Sequence, residues 1–400
     1  MQKSILTALC AVLACAATSP ARAADGQVVI GDIDDLSGVY ADVAGQGAIE
    51  AANMAIADFG GTVLGRKIVL LTTDHQNKPD IGASKFREWA DQSGLNMLLG
   101  GSNTGVSIAM SKVAGAKKIP FFAIGAGGAS LTGADCTPYT VHYAYDTTAL
   151  GNGTASAIVK NGGKTWFFLT ADYAFGTQLQ ESATRVVNAN GGKVQGAVRV
   201  PLGAADFSSF LLQAQSSGAQ VLGLANAGTD FVNSMKAANE FGITSAMKPA
   251  ALLAFIADIH SLGLATTQGL YLTTGWYWDL NEETRAFGRR YFAKMNKMPT
   301  MDQAGYYSAT MQYLNAVKAA GSTDPDGVMA QLRKTKINDA FTKGGYVRAD
   351  GVMVHTMYVM QVKTPAESKY PWDYYKLIKA MPGEEAYGSQ PDATCPFLKR

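Results

Sequence analysis

The sequence has few of the residues on which catalysis most often depends. Its 400 residues include four histidines and four cysteines, and 16% of the residues are charged. No two histidines have the His-Glu-x-x-His spacing of a zinc site, and no Gly-x-Ser-x-Gly turn is present to carry a nucleophilic serine. A secreted hydrolase, one alternative for this chain, would need such an arrangement. We therefore expect a protein that is not an enzyme and that binds no metal.

Neither the charge nor the glycine motifs predict a nucleic acid or a nucleotide as a partner. The 34 basic and 32 acidic residues nearly cancel, and no basic stripe is present. Gly162-Gly163-Lys164-Thr165 is similar to the end of a phosphate-binding loop, but Ile158 occupies the position of its first glycine. The run from Gly125 to Ser130 imitates a dinucleotide-binding turn but lacks the third glycine. We expect no cofactor.

One apolar run stands out, and it lies at the N-terminus; no second run is long enough to cross a membrane. Residues 5–17 are apolar, Lys3 precedes them, and Ala21-Arg22-Ala23 follows them. A charged start, a short apolar run and an Ala-x-Ala end are typical of a secretory signal peptide, and a membrane span needs about 20 residues. We predict a signal peptide over residues 1–23. Lipid anchoring through Cys15 is an alternative.

The four cysteines divide into two pairs. Cys10 and Cys15 fall within the predicted leader, whereas Cys136 and Cys395 are left in the exported chain. An oxidising compartment favours a disulfide between these two. The disulfide would tie a C-terminal tail, residues 386–400, to a loop far upstream. Two free thiols are the alternative.

The exported chain alternates β-rich runs with alanine-rich segments whose apolar residues recur at helical spacing. The predicted strands form two series, at 28–33, 68–73, 97–100 and 121–124, and at 165–170, 193–200, 221–225 and 250–253. Alternating strands and helices predict an α/β fold with parallel, doubly wound sheets. Two successive series predict two such domains.

The pattern changes after residue 270, where the aromatic cluster Trp276-Tyr277-Trp278 appears. The elements predicted there are a strand at 270–274, helices at 282–295 and 303–320, runs at 345–348 and 352–363, and a late strand at 374–378. Asp350-Gly351, between the two runs, is typical of a hairpin turn. No Pro- or Ser-rich linker separates the halves of the chain, so we expect them to face one cleft.

Several predicted strands end in loops rich in glycine and hydroxyl side chains. Tyr40 lies in the loop after the first strand. Ser102 and Thr104 follow the third strand, and Gly125-Ala126-Gly127 follows the fourth. Ligands of open α/β sheets bind beyond the carboxyl ends of the strands, and helix N-termini favour anions. The pattern indicates a carboxylate held by hydroxyl and backbone N–H groups. Capping of the next helix by Ser102 and Thr104 is the alternative.

Short motifs along the chain carry a resemblance to a known family. They are Ile30-Gly31-Asp32, Ser37-Gly38, Thr73-Asp74-His75-Gln76, Gly100-Gly101-Ser102, Ile119-Pro120-Phe121 and Asp172-Tyr173-Ala174-Phe175-Gly176. No single motif is specific, but their order and spacing resemble the periplasmic binding proteins of ATP-driven importers. The likeness is to the leucine/isoleucine/valine-binding group with the type I fold, and it covers nearly all of the exported chain.

The resemblance implies two α/β lobes with a ligand cleft between them. Lobe one would comprise residues 24–145 and 275–338, and lobe two residues 146–274 and 339–385. Three crossings would join the lobes, near 143–146, 273–276 and 335–342. The implied protein is periplasmic and monomeric, and it passes a small-molecule carboxylate to the membrane permease of an ABC importer without making or breaking a bond. A sensor of the same fold that docks to a membrane receptor is an alternative.

The resemblance also assigns ligand contacts. The contacts expected from lobe one are Tyr40, Ser102, Thr104, Gly125, Ala126 and Gly127. Tyr173 is expected from lobe two, and Trp276 and Gln303 are further candidates. Asp230 is a candidate for the acid that would pair with a ligand ammonium. Amino-acid binders of this family usually hold the ligand ammonium with an acid of lobe two, near the last strand. Residues 250–255 contain none, and a buried unpaired ammonium is unfavourable. We therefore predict an aromatic carboxylate, such as a benzoate or phenylpropenoate, with branched-chain or other amino acids as the alternative.

Overall fold

The computed structural model describes residues 26–399, so the predicted leader, with Cys10 and Cys15, lies outside the described residues. The first sheet has six strands, β1 (Gln27–Asp34), β2 (Thr62–Val63), β3 (Arg66–Asp74), β4 (Leu95–Gly100), β5 (Phe121–Ala123) and β6 (Thr140–His142). Their spatial order is β2-β3-β1-β4-β5-β6, and every pair except β2–β3 is parallel. The helices α1 (Gly45–Asp58), α2 (Pro79–Gln92) and α3 (Thr104–Lys117) connect the strands. The central strand β1 is buried over seven of its eight residues, as expected for a parallel strand with both faces covered.

The second sheet has four parallel strands. They are β7 (Thr165–Ala171), β8 (Lys193–Val200), β9 (Val221–Ala225) and β10 (Lys248–Ala251), in the order β10-β9-β7-β8. Two short helices, α4 (Thr147–Leu150) and α5 (Ser156–Lys160), precede this sheet and flank a π-helical turn at Gly151–Ala155. The helices that connect its strands are α6 (Ala174–Ala189), α7 (Ser208–Ser216), α8 (Thr229–Glu240) and α9 (Ile243–Ala246). The predicted α/β fold with parallel, doubly wound sheets is confirmed.

The remaining chain adds helices and two small antiparallel sheets. The helices are α10 (Ile256–Leu262), α11 (Leu264–Thr267), α12 (Glu282–Met295), α13 (Met301–Ala320), α14 (Pro325–Lys334) and α15 (Gly383–Tyr387). One sheet contains β11 (Tyr271–Thr274), β15 (Met357–Val362) and β16 (Tyr375–Met381), and the other contains β12 (Ile337–Asn338), β13 (Lys343–Val347) and β14 (Met353–Val354). Single 3₁₀ turns lie at Ala129–Leu131 and Pro396–Lys399.

One predicted element differs from the structure. The run 352–363 divides into β14, which pairs with β13, and β15, which pairs with β11 and β16. Between them the buried ring of His355 hydrogen-bonds to the carbonyl oxygen of Ala144, 3.0 Å away. The chain therefore passes from one sheet to the other at His355. Apolar alternation continues through this point, so the pattern alone does not reveal the change of partner.

Three distant chain segments meet where the two halves join. A Cβ atom on Gly275 would lie 2.6 Å from the carbonyl oxygen of Ala144 and 2.9 Å from the His355 ring. The predicted crossings at 143–146 and 273–276 thus lie side by side. After this point α13 packs against α1, which returns the chain to the six-stranded sheet. The residue bounds of the two lobes stay a prediction.

The C-terminal tail is fixed to the body of the protein. The predicted disulfide between Cys136 and Cys395 is present, with 5.5 Å between the Cα atoms. Arg348 forms an ion pair with Asp350 (2.9 Å) and donates to the carbonyl oxygen of Gly388 (2.7 Å). Across residues 26–399, no helix has both the length and the apolar character needed to span a bilayer.

Candidate functional site

The loop after β1 is shaped by the carboxyl group of Asp35. This group accepts hydrogen bonds from the backbone N–H groups of Gly38 (2.7 Å) and Tyr40 (2.9 Å) and from the side-chain amide of Asn77 (2.6 Å). A Cβ atom on Gly38 would lie 2.6 Å from that amide nitrogen, so the loop has no space for a side chain there. These bonds hold Tyr40 in a buried position at the carboxyl end of the first sheet.

The turn after β4 places Ser102 beside β1. Gly100 has φ +127°, and a Cβ atom on it would lie 2.2 Å from the carbonyl oxygen of Ile33, so this sharp turn requires glycine. The helix that follows is capped by Asn103, whose side chain accepts from the N–H of Val106 (3.2 Å). The capping alternative for Ser102 and Thr104 is therefore wrong.

The opposite side of the cleft comes from loops of the second sheet. Tyr173 and Phe175 lie where α6 begins, after β7. Ala227 follows β9, and Leu253 and Phe255 follow β10. These loops again lie at the carboxyl ends of parallel strands, where α/β proteins place their ligands.

Residues from the two sides line one small cavity. It is lined by Tyr40, Val43, Ser102, Gly125, Gly127, Tyr145, Tyr173, Phe175, Ala227, Leu253 and Phe255. Five of these eleven residues are aromatic, and none of the eleven is charged. The cavity therefore suits a small ligand with a flat apolar part and few polar groups.

Contacts across the cleft hold the two sides together. The hydroxyl groups of Tyr40 and Tyr173 hydrogen-bond to each other. The N–H of Thr229 donates to the carbonyl oxygen of Val39 (3.0 Å). The rings of Tyr145 and Phe255 make an edge contact with centroids 6.2 Å apart. This arrangement is the closed one, because both sides contact each other around the cavity.

A buried carboxyl group, Asp34, lies behind the Ser102 side of the cavity. Asp34 Oδ1 accepts from the N–H of Ser102 (3.0 Å), from the Ser102 hydroxyl and from the N–H of Asp35 (2.9 Å), and Oδ2 accepts from the Tyr306 hydroxyl. Burial raises the pKa of Asp34 to about 7, and the hydrogen bonds from Tyr306, Asp35 and Ser102 act in the opposite direction.

The protonation state of Asp34 decides whether the Ser102 hydroxyl can donate a hydrogen bond to a ligand in the cavity. A hydroxyl group has a single proton. When Asp34 is ionised, Ser102 donates this proton to it and presents only lone pairs to the cavity. When Asp34 is protonated, it can donate to Ser102, and the Ser102 proton is then free for a ligand. The predicted donor role of Ser102 therefore depends on the protonation state of Asp34, a partner that the local sequence does not reveal.

The loop after β5 presents backbone donors. Within residues 26–399, the N–H groups of Gly125, Ala126 and Gly127 donate to no carbonyl oxygen or side chain, although the carbonyl oxygens of all three accept hydrogen bonds. Gly125 and Gly127 both line the cavity. Three successive N–H groups without a partner among the described residues are available to an anionic ligand.

The family model described as "Periplasmic binding protein" matches residues 27–369. The chain belongs to the periplasmic binding protein family. A crystal structure of a periplasmic binding protein from Burkholderia mallei is 60% identical, covers 92% of this chain and 98% of its own, and has a TM-score of 0.91. No curated protein matches the sequence. The implied location of this periplasmic binding protein is the periplasm; its leader stays a prediction.

Two further solved structures are similar to this binding protein. A branched-chain amino acid ABC transporter periplasmic ligand-binding protein from Burkholderia xenovorans LB400 is 39% identical over 90% of this chain and 97% of its own, with a TM-score of 0.80. An ABC transporter solute-binding protein from Rhodopseudomonas palustris BisB5, in complex with 3,4-dihydroxybenzoic acid, is 21% identical over 89% of this chain and 98% of its own, with a TM-score of 0.81. The second likeness shows the fold alone. The type I fold with two lobes is confirmed.

Five of the predicted ligand contacts of this binding protein line the cavity: Tyr40, Ser102, Gly125, Gly127 and Tyr173. Two others lie next to it. The Thr104 hydroxyl accepts from the N–H of Gly128 (3.1 Å), and the carbonyl oxygen of Ala126 hydrogen-bonds to the His142 ring. Direct contact of all these residues with a ligand stays a prediction.

The other three predicted contacts do not line the cavity and have partners of their own. Asp230 accepts from the N–H of Gly203 (3.0 Å), and burial raises its pKa to about 6. The Trp276 indole donates to the carbonyl oxygen of Ala340 (2.8 Å). Gln303 accepts from the N–H of Thr300 (3.0 Å) and donates to the carbonyl oxygen of Ala44 (3.2 Å), which fixes the start of α13. These contacts favour structural roles for Trp276 and Gln303.

Sequence reasoning missed several residues of this site. Phe175 and Phe255 line the cavity, and each follows a predicted strand, as the chosen loops do. Asp34 ends β1 and follows the same pattern. Tyr145 follows β6, a strand that the sequence pattern does not predict. Asp302, whose Oδ2 would lie 2.9 Å from a Cβ atom on Gly125, gives no such signal, because it comes close to this loop only through the packing of α13.

Proposed function

We propose that this protein captures a small carboxylate with an aromatic body and delivers it to the membrane permease of an ABC importer. The observation that carries the proposal is the combination of three free backbone N–H groups, at Gly125-Ala126-Gly127, with a cavity lined by five aromatic side chains and no charged one. The N–H groups would bind the carboxylate, and the rings would enclose the body of the ligand. Tyr40, Ser102 and Tyr173 are the side chains we assign to ligand contact.

The lining of the cavity supports a ligand with an aromatic ring. Five of its eleven lining residues are aromatic and none is charged, which suits contact with a flat apolar group. Burying a ring of roughly 150 Å² gives about 4 kcal/mol, whereas micromolar binding needs about 8 kcal/mol before ordering costs. The ring alone is insufficient. Charge-assisted hydrogen bonds from backbone N–H groups to the carboxylate would supply the difference.

Closure of the two lobes is the proposed mechanism of capture. The cavity is lined from both sides, so a ligand that contacts both favours the closed arrangement over the open one. The hydrogen bonds from Tyr40 to Tyr173 and from Thr229 to Val39 form only when the sides meet. We propose residues 24–145 with 275–338 as one lobe and 146–274 with 339–385 as the other, in a monomer.

Branched-chain or other amino acids are the second candidate. The 39%-identical relative from Burkholderia xenovorans carries a branched-chain amino acid name. An amino acid would need an acid for its ammonium group, and Asp34 and Asp302 are buried near the cavity. An amine-free carboxylate needs no such partner, which favours the aromatic acid.

A thermal-shift screen followed by calorimetric titration tests the proposal. The panel would contain benzoates, phenylpropenoates, 2-keto acids, leucine, valine and phenylalanine. A ligand at 100 times its Kd stabilises the folded state by about 2.7 kcal/mol, which a melting curve detects. We expect benzoates or phenylpropenoates to bind most tightly. Binding of amino acids alone would replace the aromatic acid with the second candidate, and no binding by any carboxylate would refute the proposal.

A further inference from the structure

One buried acid near the cavity has no evident structural partner. Asp302 lies in the first turn of α13 and has no exposed surface. Neither of its carboxyl oxygens has a hydrogen-bond partner among residues 26–399. Buried polar groups nearly always have partners, so an exception calls for an explanation.

The carboxyl group of Asp302 lies beside two residues that line the cavity, although Asp302 itself is not among the lining residues. A Cβ atom on Gly125 would lie 2.9 Å from Asp302 Oδ2 and 3.1 Å from the Cα atom of Ser102. Gly125 and Ser102 both line the cavity. Because residue 125 has no side chain, Asp302 packs directly behind the loop whose N–H groups are free.

The surroundings of Asp302 favour its protonated form. Burial raises the pKa of Asp302 well above its usual value, and the charges of Asp34 on β1 and Asp258 on α10 act in the same direction. The other titratable groups that sense its charge are the hydroxyls of Tyr145, which lines the cavity, and Tyr306, on the same helix. The helix N-terminus favours a negative charge, but this effect is smaller than the desolvation of a buried carboxylate. A protonated carboxyl group is a hydrogen-bond donor.

We propose that Asp302 is a neutral carboxylic acid that donates a hydrogen bond to the carboxylate of the bound ligand. This inference rests on the proposed function and adds a residue that selects the ligand. None of the residues that line the cavity is charged, so Asp302 would join the N–H groups of Gly125-Ala126-Gly127 as a neutral donor. An ammonium group would find an ion-pair partner only if Asp302 first lost its proton. The site therefore selects carboxylates without an amine.

Two substitutions at Asp302 distinguish a hydrogen-bond donor at this position from a negative charge. The probe is benzoate, or whichever carboxylate of the screen binds the wild-type protein most tightly. Asp302→Asn keeps a donor in the amide group, so we expect a Kd within about threefold of wild type. Asp302→Leu has a similar size and no donor, so we expect binding to weaken more than about tenfold, the usual effect of losing a hydrogen bond to a charged group.

The pH dependence provides a readout that a purely structural role would not change. A bound carboxylate stabilises the protonated form of Asp302, so wild-type affinity should fall as the pH rises through the raised pKa of Asp302. Part of this fall should disappear in Asp302→Asn, and any dependence that persists belongs to Asp34 or Asp258. Asp32→Asn is the matched control. Asp32 is also buried without a hydrogen-bond partner among the described residues, but it is not among the atoms nearest to the cavity glycines Gly125 and Gly127, so we expect unchanged affinity. The charges of Asp32 and Asp34 act on each other, so the pH profile of Asp302→Asn is compared with that of wild type.

Each result has a clear meaning. If wild type binds no carboxylate, the proposed function fails and this inference fails with it. If wild type binds but both Asp302 variants match its Kd and pH profile, Asp302 has no role in selection. If the ligand is an amino acid whose affinity rises with pH and is lost in Asp302→Asn, the group is an ammonium partner. The second result overturns the inference alone, whereas the third also replaces the aromatic acid of the proposed function with the second candidate. A melting curve for each variant, compared with that of Asp32→Asn, separates loss of binding from loss of folding.

Discussion

Gly127→Ala is a substitution that should act on the closed arrangement and leave each side of the cleft intact. Gly127 lies in the loop after β5, and Phe175 lies across the cleft at the start of α6. A Cβ atom on Gly127 would lie 2.7 Å and 3.0 Å from two ring carbons of Phe175. The same atom would lie 3.1 Å from the ring of Tyr145, on its own side. The main clash is thus between the two sides, and separating them relieves it.

The free-energy cost of Gly127→Ala follows from the overlap between the added Cβ atom and the Phe175 ring. Ordinary contacts of a Cβ atom begin at 3.4 Å, so the Phe175 ring would have to retreat by about 0.7 Å in a closely packed wall. Such overpacking typically costs about 1–3 kcal/mol. If the cost falls on the closed state alone, the affinity for the ligand falls by about 5- to 150-fold. The melting temperature of the ligand-free protein should change less, because only the tight 3.1 Å contact with Tyr145 remains in the open arrangement.

Calorimetric titration measures the affinity, melting curves measure the stability of the ligand-free protein, and small-angle scattering measures how closed the ligand-bound protein is. Gly105→Ala is the control: its added Cβ would lie 3.3 Å from Asn103 and 3.6 Å from Pro79, both on the same side of the cleft. We expect wild-type affinity for this control and a more expanded scattering profile for ligand-saturated Gly127→Ala. An unchanged affinity in Gly127→Ala would refute the closed geometry. A loss of melting temperature equal to the loss of binding energy would show that the clash lies within one side.

Three further predictions concern the same structure. Ser102→Ala removes a hydrogen bond to a buried carboxyl group, Asp34. It should therefore lower stability by about 1.5–3 kcal/mol as well as weaken binding; a denaturation midpoint equal to wild type would show that this contact adds no stability. Replacing Cys136 and Cys395 by serine opens a loop with a sequence separation of 259, for which loop entropy gives an upper bound of about 5–6 kcal/mol. A loss below about 1 kcal/mol in denaturant titration would contradict this account, and two free thiols in the mass spectrum of the unreduced protein would remove the bond. Tyr173→Phe loses the hydroxyl contact across the cavity, so affinity should fall by about 2- to 12-fold; equal or tighter binding would show that the contact does not stabilise closure.

The comparison of sequence and structure shows which features local patterns encode. The helix predicted at 282–295 begins and ends at the same residues as α12, because Asn281 and Thr284 form a capping box that the local sequence specifies. The run 352–363 is continuous in the sequence pattern, and it divides because pairing partners far along the chain differ for its two halves. Alternation describes the faces of a strand but does not identify its neighbour.

The site was predictable only in part for the same reason. The loops after β1, β4 and β5 were chosen because they follow strands, and Tyr40, Ser102 and Gly125 do line the cavity. Trp276 and Gln303 were chosen by resemblance, and in the structure their polar groups bind backbone atoms instead. The partner of Ser102 was not predicted, because no local pattern relates a serine to an aspartate 68 residues away.

The sequence by itself determined the α/β class, the order of the parallel strands along the chain and the pair of cysteines that form the disulfide. These follow from hydrophobic periodicity, turn residues and composition, which act over short stretches of chain. Only the tertiary structure decided that a helix near residue 302 packs behind Gly125, that Phe175 closes against Gly127, and that buried carboxyl groups surround an uncharged cavity. Burial, and with it the protonation state of each acid, depends on which distant segments come together, and local sequence does not specify this.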